Sequence, residues 1–372
     1  MKKIIVFTTS YFPYIGGVEV AIREIASRLT GSFDFVIITA RRDKKLPKSE
    51  NFPEGLVRRI GFGSFFDKWL LIFFGPVLTK KYIKKGETIL WGMDISQGSF
   101  SASILKFFHQ DIPFVLTVQY GESKKYLKKG RGGLIGWSFR FMLNQADRVT
   151  VISNYLAELT KTYGWRKEIS LVPNGISLGK SEAQSISWRT RHEIKKNENK
   201  VVITISRLVE KNGVEDLIEA MRYLPGNVIL WIVGEGPLET KLKKLTSKRG
   251  LDSRVIFWGR LDNRQALGKL PQSDVFVRPS YSEGLGNAFL EAMAASVPIV
   301  GTRVGGIPDF LKDHETGLFC EKGNPKDIAQ KIEQILSDSM LREKLIKNGY
   351  ALVQEKYNWD NISKEMSKIF EF

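Results

Sequence analysis

The sequence predicts an α/β protein built from two domains, each with a doubly wound parallel sheet. Apolar runs of strand length alternate with amphipathic helical segments, which is the pattern of a parallel sheet covered by helices on both faces. The alternation occurs twice along the chain, so two Rossmann-like halves are expected. The chain has 372 residues, of which 42% are hydrophobic, and this composition can fill two sizeable cores.

The predicted strands of both halves are short and strongly apolar. A helical pattern at Val18–Leu29 separates the first two strands of the chain. The strands of the first half are Ile4–Phe7, Phe35–Ile38, Thr88–Leu90, Phe114–Val118 and Val149–Ile152. Those of the second half are Val201–Ile205, Val228–Val233, Val255–Trp258, Val275–Val277 and Ile299–Thr302.

Two segments set the predicted domain limits. Ser181–Lys200 is polar and rich in charge, which favours a helix and a linker between the halves. Ala351–Phe372 is predicted to form a helix, a break at Tyr357-Asn358-Trp359 and a second helix. We therefore predict an N-terminal domain at 1–180, a C-terminal domain at 181–355 and a terminal helix at 356–372.

The positive charge of the chain lies mainly in its first half. Residues 1–180 contain 28 lysines and arginines against 14 aspartates and glutamates, whereas residues 181–372 contain 29 against 26. The first half therefore carries +14 of the formal net charge of +17. Such a surface is expected to meet a phospholipid surface, a phosphorylated acceptor or nucleic acid. Nucleic acid is not expected as a partner, because no nucleic-acid-binding motif is recognisable.

The remaining composition excludes several classes of protein. Cys320 is the single cysteine, so no internal disulfide or multi-cysteine metal site can form, and we expect it to be a small buried hydrophobe. The apolar run Ile4–Phe7 is too short for a signal peptide and is interpreted as a first strand. No apolar stretch approaches the ~20 residues that span a bilayer.

The most informative segment is Pro279–Ala295. It follows a short apolar strand and contains Gly284 and Gly286 ahead of a helical pattern. Such a loop exposes backbone N–H groups at a helix N-terminus, which favours an anion, and glycine lets a ligand approach the backbone closely. The alternative is an ordinary turn that binds nothing.

Glu291 lies about one turn inside the predicted helix, eight positions after Glu283. Helical side chains lean toward the N-terminus, so its carboxylate can reach back to the loop and accept two hydrogen bonds from a vicinal diol. An anion site beside a diol acceptor indicates a nucleotide with a diphosphate and a ribose. The alternative is a solvated glutamate.

Arg207 and Lys211 follow the strand Val201–Ile205, four residues apart. On a loop that enters a helix, this spacing can aim both cations at one point. Two fixed cations in a partly dry cleft stabilise the negative charge that develops on a leaving nucleoside diphosphate. The alternative is a solvated basic pair.

These segments belong to a larger ordered set of motifs. This set, which includes the Glu-x7-Glu segment from Glu283 to Glu291, runs nearly from end to end of the chain. By these motifs the chain resembles the retaining glycosyltransferases of family 4, which have the two-domain GT-B fold. The other motifs are Gly16-Gly17, residues 146–153 (ADRVTVIS), residues 172–176 (VPNGI), residues 205–213 (ISRLVEKNG), residues 233–237 (VGEGP) and residues 304–309 (VGGIPD).

The resemblance implies a role for each site residue. The co-substrate would be a nucleotide sugar, such as a UDP- or GDP-sugar, with no cofactor and no metal ion. Arg207, Lys211 and Glu283 would be catalytic, Glu283 either as a nucleophile or as electrostatic support. The residues implied in donor binding are Gly16, Gly17, Arg207, Lys211, Leu261, Glu283, Gly284, Leu285, Gly286, Asn287 and Glu291.

Three of these implications concern geometry. Leu261 would offer its backbone to the base. Gly16-Gly17 would face the cleft from the other domain, near the distal phosphate or the acceptor. The final helix would cross back onto the first domain.

The chain departs from the family at two positions. Where the family commonly has a histidine, this sequence has Gln119, which can hydrogen-bond a sugar or an acceptor but cannot shuttle a proton at neutral pH. Glu122 is a candidate substitute, although a surface glutamate is the simpler interpretation. The second departure is Ser177, where the family often has aspartate. His109, His192 and His314 match no family site.

Basic and aromatic residues cluster in the first half. Together they suit the interface of an anionic membrane, or else the aromatics are core and the lysines solvated. The basic runs are residues 41–45, 80–85 and 124–131, and the aromatics beside the second run are Phe62, Phe65, Phe66, Trp69, Phe73 and Phe74.

The sequence thus predicts a cytoplasmic, metal-independent, retaining glycosyltransferase, peripheral on the inner face of the cell membrane. Its acceptor is expected to be a glycolipid or a surface polysaccharide. Metal independence is expected because no Asp-x-Asp motif occurs. The alternatives are a nucleotide-sugar epimerase or phosphorylase of the same fold, or a catalytically inert nucleotide-sugar-binding protein.

Overall fold

The computed structural model describes residues 1–122, 124–177 and 199–372, with Lys124 and Arg131 described by their backbone alone. The chain divides into two compact units. The first comprises Met1–Gly175 and Trp359–Phe372, and the second comprises Ile176–Asn358. The predicted limit at 180/181, and residues 181–198 of the predicted helix and linker, lie outside the described residues.

The first unit is an eight-stranded sheet in the order β3-β4-β2-β1-β5-β6-β7-β8. Every neighbouring pair is parallel except β3 and β4, which are antiparallel. The chain runs outward from β1 through β2 and β4, then returns to β5 beside β1. The strands are β1 (Lys2–Phe7), β2 (Phe33–Ala40), β3 (Ser49–Phe52), β4 (Gly55–Ile60), β5 (Thr88–Met93), β6 (Phe114–Val118), β7 (Arg148–Val151) and β8 (Ile169–Leu171).

Helices cover this sheet. They are α1 (Gly17–Leu29), α2 (Asp67–Thr79), α3 (Gln97–Phe108), α4 (Lys124–Lys129), α5 (Leu134–Gln145), α6 (Asn154–Thr162) and, from the end of the chain, α14 (Trp359–Ile369).

The terminal helix α14 is part of the first unit's core. Its buried residues Trp359, Ile362 and Met366, followed by Phe370, lie three or four positions apart and so share one face. The ring of Phe370 packs edge-on against that of Trp91, with the centroids 5.2 Å apart. Truncating Phe370 to alanine should cost about 3–5 kcal/mol of stability. The predicted helix, break and second helix at the end of the chain are therefore confirmed.

The second unit is a six-stranded, all-parallel sheet in the order β11-β10-β9-β12-β13-β14. Its strands are β9 (Lys200–Ile205), β10 (Val228–Val233), β11 (Val255–Gly259), β12 (Val275–Arg278), β13 (Ile299–Thr302) and β14 (Leu318–Cys320). Its helices are α7 (Val214–Ala220), α8 (Glu239–Lys248), α9 (Asn263–Lys269), α10 (Asn287–Ala294), α11 (Ile307–Phe310), α12 (Pro325–Ser337) and α13 (Ser339–Lys356).

Each predicted strand is present, but four further strands were not predicted, namely β3, β4, β8 and β14. β3 lies at the sheet edge and alternates exposed with half-buried residues, and β8 and β14 have three residues each. β4 includes Arg59, which is buried because its guanidinium pairs with Glu50 at 2.7 Å. β3, β8 and β14 are too short to give a clear apolar run, and the two arginines of β4 interrupt the apolar run by which the other strands were predicted.

The parallel, doubly wound character of both sheets agrees with the prediction. Cys320 is buried as predicted, and burial raises the pKa of its thiol to about 12. Within the described ranges, no helix combines the length and the apolar character needed to cross a membrane.

Candidate active site

The second unit reverses its strand order between β9 and β12. From β9 the chain continues to β10 and β11 on one side, then returns to β12 on the other. In open α/β sheets, ligands bind beyond the carboxyl ends of the strands at such a reversal. The segment after β9 carries Arg207 and Lys211, and the segment after β12 carries Glu283. Arg207, Lys211 and Glu283 therefore flank the position where a ligand is expected, whereas Leu261 follows β11, two strands away from β9.

Arg207 lies on the loop that leaves β9. Its side chain is exposed and makes no hydrogen bond or ion pair with the described residues. The side-chain amide of Asn212 donates to the carbonyl oxygen of Arg207 at 2.7 Å, which fixes the loop from within. Lys211 is partly exposed and lies in a single 3₁₀ turn, Glu210–Asn212, just before α7.

A backbone contact joins this loop to the segment after β12. The N–H of Tyr281 donates to the carbonyl oxygen of Lys211 at 2.6 Å. Gly213 adopts φ +65°, and a Cβ there would collide with the carbonyl oxygen of Pro279. The two segments, about 70 positions apart in sequence, are thus held against each other, and only glycine fits at the contact.

The glycine loop leads directly into α10. Gly286 precedes the first helical residue, Asn287, and adopts φ +103°, a conformation that side-chain-bearing residues rarely take. A Cβ on Gly286 would lie 2.9 Å from the ring of Phe289. Leu285 is fully buried and anchors the loop. This is the strand, loop and helix predicted for Pro279–Ala295.

Glu283 is held by a residue that sequence analysis missed. Nη2 of Arg278, the last residue of β12, donates to Oε2 of Glu283 at 2.7 Å. The guanidinium lies 4.8 Å from the ring centroid of Phe289, and Arg278 is only 7% exposed. Its Nε is buried without a hydrogen-bond partner among the described residues. The sequence feature that could have indicated Arg278 is a charged residue at the carboxyl end of an apolar run.

Glu291 lies on the second turn of α10 and is partly exposed. Burial raises the pKa of its carboxyl group to about 6, against a smaller lowering by Arg278. The carboxylate accepts no hydrogen bond from any described residue. A ligand with hydroxyl donors would therefore meet an acceptor that the described part of the chain does not already satisfy.

Leu261 follows β11 and immediately precedes Asp262, whose side chain caps α9. Its backbone groups make no hydrogen bond within the described part of the chain. This leaves them able to pair with a ligand, as the prediction requires.

Gly16 and Gly17 lie in the first unit, at the start of α1. Gly16 is extended, and the carboxylate of Glu19 lies against it, 2.8 Å from where a Cβ would stand. Glu19 in turn accepts a hydrogen bond from the hydroxyl of Ser10 at 2.5 Å. The N-terminus of α1 therefore already has an acidic side chain beside it.

Gln119 follows β6 in the first unit. Its side-chain oxygen accepts a hydrogen bond from the amide of Asn174 at 3.1 Å, and its backbone N–H donates to Asp94 at 3.2 Å. The structure thus brings Gln119 together with the Val-Pro-Asn-Gly segment. Glu122 and Ser177 are exposed.

The two histidines in the described part of the chain, His109 and His314, belong to different units. His109 ends α3, His314 lies 3.4 Å from Asp313, and His192 is outside the described residues. In the described ranges, no three histidine, cysteine, aspartate or glutamate side chains are grouped as metal ligands.

Two family models match the chain. The model of glycosyltransferase family 4 matches residues 15–180, and that of glycosyl transferases group 1 matches residues 187–352. The chain belongs to this family of glycosyltransferases. The resemblance noted in the sequence is therefore confirmed.

Two curated relatives illustrate the range of similarity. The lipopolysaccharide core biosynthesis glycosyltransferase LpsE of Rhizobium meliloti is 35% identical over 208 residues, which are 56% of this chain and 59% of that protein. The chain thus spans little more than half of that relative. A GDP-mannose-dependent phosphatidylinositol monomannoside mannosyltransferase of Mycobacterium tuberculosis is 24% identical over 99% of this chain and 97% of its own length.

The fold is also similar to solved structures. The structure of Anabaena Alr3699/HepE in complex with UDP-glucose superposes with a TM-score of 0.79 over 99% of both chains, at 17% identity. The predicted GT-B fold class is confirmed by such similarities and by the two parallel-sheet units.

Proposed function

We propose that the protein is a retaining, metal-independent glycosyltransferase that moves a sugar from a nucleotide sugar to a glycolipid or polysaccharide acceptor. The observation that carries this proposal is the hydrogen bond between Tyr281 and Lys211. It joins the loop with Arg207 and Lys211 to the segment with Glu283, beyond the carboxyl ends of β9 and β12. Cations for a diphosphate and carboxylates for hydroxyl groups thus belong to one ligand-binding edge.

Each group has a distinct task in this proposal. Arg207 and Lys211 bind the diphosphate and stabilise the charge that it gains as the glycosidic bond breaks. Glu291 accepts hydrogen bonds from the ribose hydroxyls. The amide groups at the start of α10 face the phosphates, as is usual at helix N-termini. Removing one preorganised group of this kind typically slows turnover by about 10²–10³.

The ion pair of Glu283 with Arg278 favours one of its two proposed roles. A carboxylate that already binds a buried guanidinium is a weaker nucleophile than an unpaired one, because its charge is partly neutralised. One oxygen remains to accept a hydrogen bond from the donor sugar. We therefore propose that Glu283 positions the sugar and supports the transition state electrostatically.

The names of related proteins support the choice of substrates. One full-length relative is described as GDP-mannose-dependent and acts on a phosphatidylinositol mannoside, and a protein of similar fold is known with UDP-glucose. Another relative acts in lipopolysaccharide core synthesis. We propose a nucleotide-sugar donor of this kind, a lipid-linked or polysaccharide acceptor, and a place on the cytoplasmic face of the membrane.

The test combines binding and stereochemistry. The intact chain is screened against a panel of nucleotide sugars by thermal shift, and the best donor is incubated with and without acceptor glycolipids. We expect slow donor hydrolysis, faster transfer to one acceptor class and an α-linked product from an α-linked donor by NMR. Inversion at the anomeric carbon, or epimerised donor without transfer, would reject the proposal.

The non-enzymatic alternative gives a different result in the same experiment. An inert binding protein would show the thermal shift with a nucleotide sugar but neither hydrolysis nor transfer. A phosphorylase would instead release sugar 1-phosphate from a glycan when inorganic phosphate is added.

A further inference from the structure

Helix α2 of the first unit is apolar on both sides. Its inner side, with Leu71, Ile72 and Pro76, is buried in the unit. The hydroxyl of Ser101 on α3 donates to the carbonyl oxygen of Leu71 at 2.9 Å, so α2 and α3 pack closely. When only one side of an apolar helix is covered by its own protein, its outer side is expected to be covered by something else.

The outer side of α2 is an exposed apolar stripe, which we define as Trp69, Phe73, Phe74, Val77 and Leu78. Trp69, Phe73 and Val77 are four positions apart, as are Phe74 and Leu78, and together these two rows cover the half of α2 that faces away from Leu71, Ile72 and Pro76. Their exposure ranges from 40% for Trp69 to 70% for Phe73. In the loop before α2, the three side chains of Phe62, Phe65 and Phe66 are 61–71% exposed.

Neighbouring helices add further exposed apolar side chains. α3 packs against both α2 and α5. Phe107 and Phe108 at the end of α3 are exposed, as are Leu134 and Trp137 on α5. Monomeric proteins in water rarely expose so many large apolar residues close together, and such patches usually mark an interaction site.

The charges around α2 are positive. Lys80, Lys81, Lys84 and Lys85 follow the helix directly and are exposed. The ammonium group of Lys68 lies 3.4 Å from the ring centroid of Phe65. The one acidic residue of α2, Asp67, is buried and accepts backbone hydrogen bonds from Gly63 and Ser64 at 2.6 and 3.0 Å. The stripe therefore adjoins exposed lysines, and the acid of its own helix is turned inward.

We infer that the stripe and the Phe62–Phe66 loop insert into the interface of an anionic phospholipid bilayer, with α2 parallel to the membrane plane. Aromatic rings beside lysines are the composition of interfacial helices. Of the two interpretations left open by the sequence, the exposed positions of the aromatics favour membrane contact over core packing. The inference deepens the proposed membrane location and rests on it, but it does not depend on the sugar donor.

Insertion predicts a binding component that salt does not remove. The attraction of lysines to anionic lipid is screened as ionic strength rises, because the Debye length falls from about 10 Å at 0.1 M to about 3 Å at 1 M. Burial of aromatic surface is not screened in this way. The intact chain should therefore bind phosphatidylglycerol-containing vesicles at 0.1 M salt and keep a measurable part of that binding at 1 M.

Variants separate the two components. The triple variant Trp69→Ser, Phe73→Ser and Phe74→Ser should weaken vesicle binding by at least about 100-fold, since each ring loses its burial in lipid. Reversal of Lys80, Lys81, Lys84 and Lys85 to glutamate should instead abolish the preference for anionic over neutral vesicles. The matched control is Tyr223→Ser, which removes an exposed aromatic from the second unit and should change nothing.

A conservative substitution tests insertion directly. Trp69→Phe keeps the apolar ring but removes the fluorophore. Vesicles with brominated lipid tails should quench the fluorescence of the wild type, and quenching should fall in Trp69→Phe while binding is retained. Equal quenching in both proteins would overturn the proposed insertion.

Two further measurements keep this inference separate from the proposed function. Nucleotide binding by the triple variant should equal that of the wild type, because the stripe lies in a different unit from Glu291 and Arg207. Unchanged vesicle binding by the triple variant, or a wild-type dimer that the triple variant dissociates, would overturn the membrane inference. Vesicle binding without any donor hydrolysis would instead reject the proposed enzyme.

Discussion

Nη2 of Arg278 lies 2.7 Å from Oε2 of Glu283, and both side chains are largely withdrawn from solvent. Arg278 also lowers the pKa of Glu291, so one guanidinium acts on both glutamates of the Glu-x7-Glu segment. Arg278 leaves β12 at its carboxyl end, beside β9, and stacks on Phe289 of α10. It is therefore placed to fix the glycine loop relative to the sheet.

Replacing Arg278 with methionine should damage both stability and turnover. The variant leaves Glu283 without its partner, and removing one member of a buried ion pair costs about 3 kcal/mol or more. Turnover should fall at least about tenfold, because Glu283 is no longer oriented. Chemical denaturation and steady-state kinetics with the donor measure the two effects.

The pH profile separates this positioning role from a purely structural one. Without Arg278 the pKa of Glu291 loses a lowering influence, so the acidic limit of donor binding should move to higher pH in Arg278→Met. Arg278→Lys keeps the charge and should keep that limit, while it loses the geometry of the guanidinium. A variant that is less stable but unchanged in turnover and pH profile would show that Arg278 is structural only.

Arg207→Ala and Lys211→Ala should each reduce turnover at least about 10²-fold, because each removes a fixed cation from the leaving diphosphate. Arg207 is exposed, so its loss should change the free energy of unfolding by no more than about 0.5 kcal/mol. Arg166→Ala, which removes an exposed arginine of the first unit, is the control and should leave both quantities unchanged. Near-wild-type turnover of Arg207→Ala or of Lys211→Ala would remove that residue from the site.

The sequence predicts the strand β12 but not the burial of its last residue, Arg278. The continuous apolar run Val275–Val277 was enough to predict this strand and its place before the glycine loop, since strands buried on both faces of a parallel sheet are apolar throughout. Arg278 was missed because a charge at the end of a run looks like the end of burial. Its burial depends on Glu283 and Phe289, which approach it only after the chain folds back.

The surroundings of the aromatic residues of α2 could not be predicted from the sequence. Their composition predicted either a core helix or a membrane-facing one, and the sequence contains no information on which side of α2 its neighbours cover. The packing of α3 against Leu71 settles which side is buried. The four strands at or near sheet edges were missed because three of them have only three or four residues and the fourth, β4, contains two arginines.

Glu291→Gln and Glu283→Gln should affect different steps. An amide accepts fewer hydrogen bonds from a ribose diol than a carboxylate does, so Glu291→Gln should weaken binding of free nucleoside diphosphate as well as of the full donor. Glu283→Gln should act mainly on the sugar-bearing donor or on turnover. Titration calorimetry with both ligands measures the difference, and equal losses of free-nucleotide affinity in both variants would contradict this division of roles.

Turnover should not depend on a divalent ion. Arg207 and Lys211 supply the positive charge that a metal ion provides to the diphosphate in enzymes with an Asp-x-Asp motif. Dialysis against a chelator should leave the rate unchanged, measured with the same donor and acceptor before and after treatment. A rate that is lost on chelation and recovered with manganese would show that the two cations do not suffice.

The acidity of Glu291 predicts opposite effects of pH on binding and on stability. Its pKa of about 6 in the folded protein lies above the ordinary value of 4.5, so it is protonated as pH falls through 6. A protonated carboxyl group accepts ribose hydrogen bonds poorly, and donor affinity should fall below pH 6. The ionised form is the one that folding disfavours. The contribution of Glu291 to the stability of the unliganded protein should therefore rise as pH falls from about 6 to 4.5, by up to about 2 kcal/mol.

The nucleotide sugar is the suitable ligand for this measurement, because its two phosphates are both esterified and neither titrates near pH 6. Affinity by calorimetry and unfolding by denaturant are compared between pH 5 and 8 in the wild type and in Glu291→Gln. The amide cannot titrate, so the variant should bind the nucleotide sugar weakly at every pH. It should show neither the fall in affinity below pH 6 nor the gain in stability that protonation of Glu291 provides. If Glu291→Gln keeps the wild-type fall in affinity below pH 6, another group is responsible, and the diol contact must be assigned elsewhere.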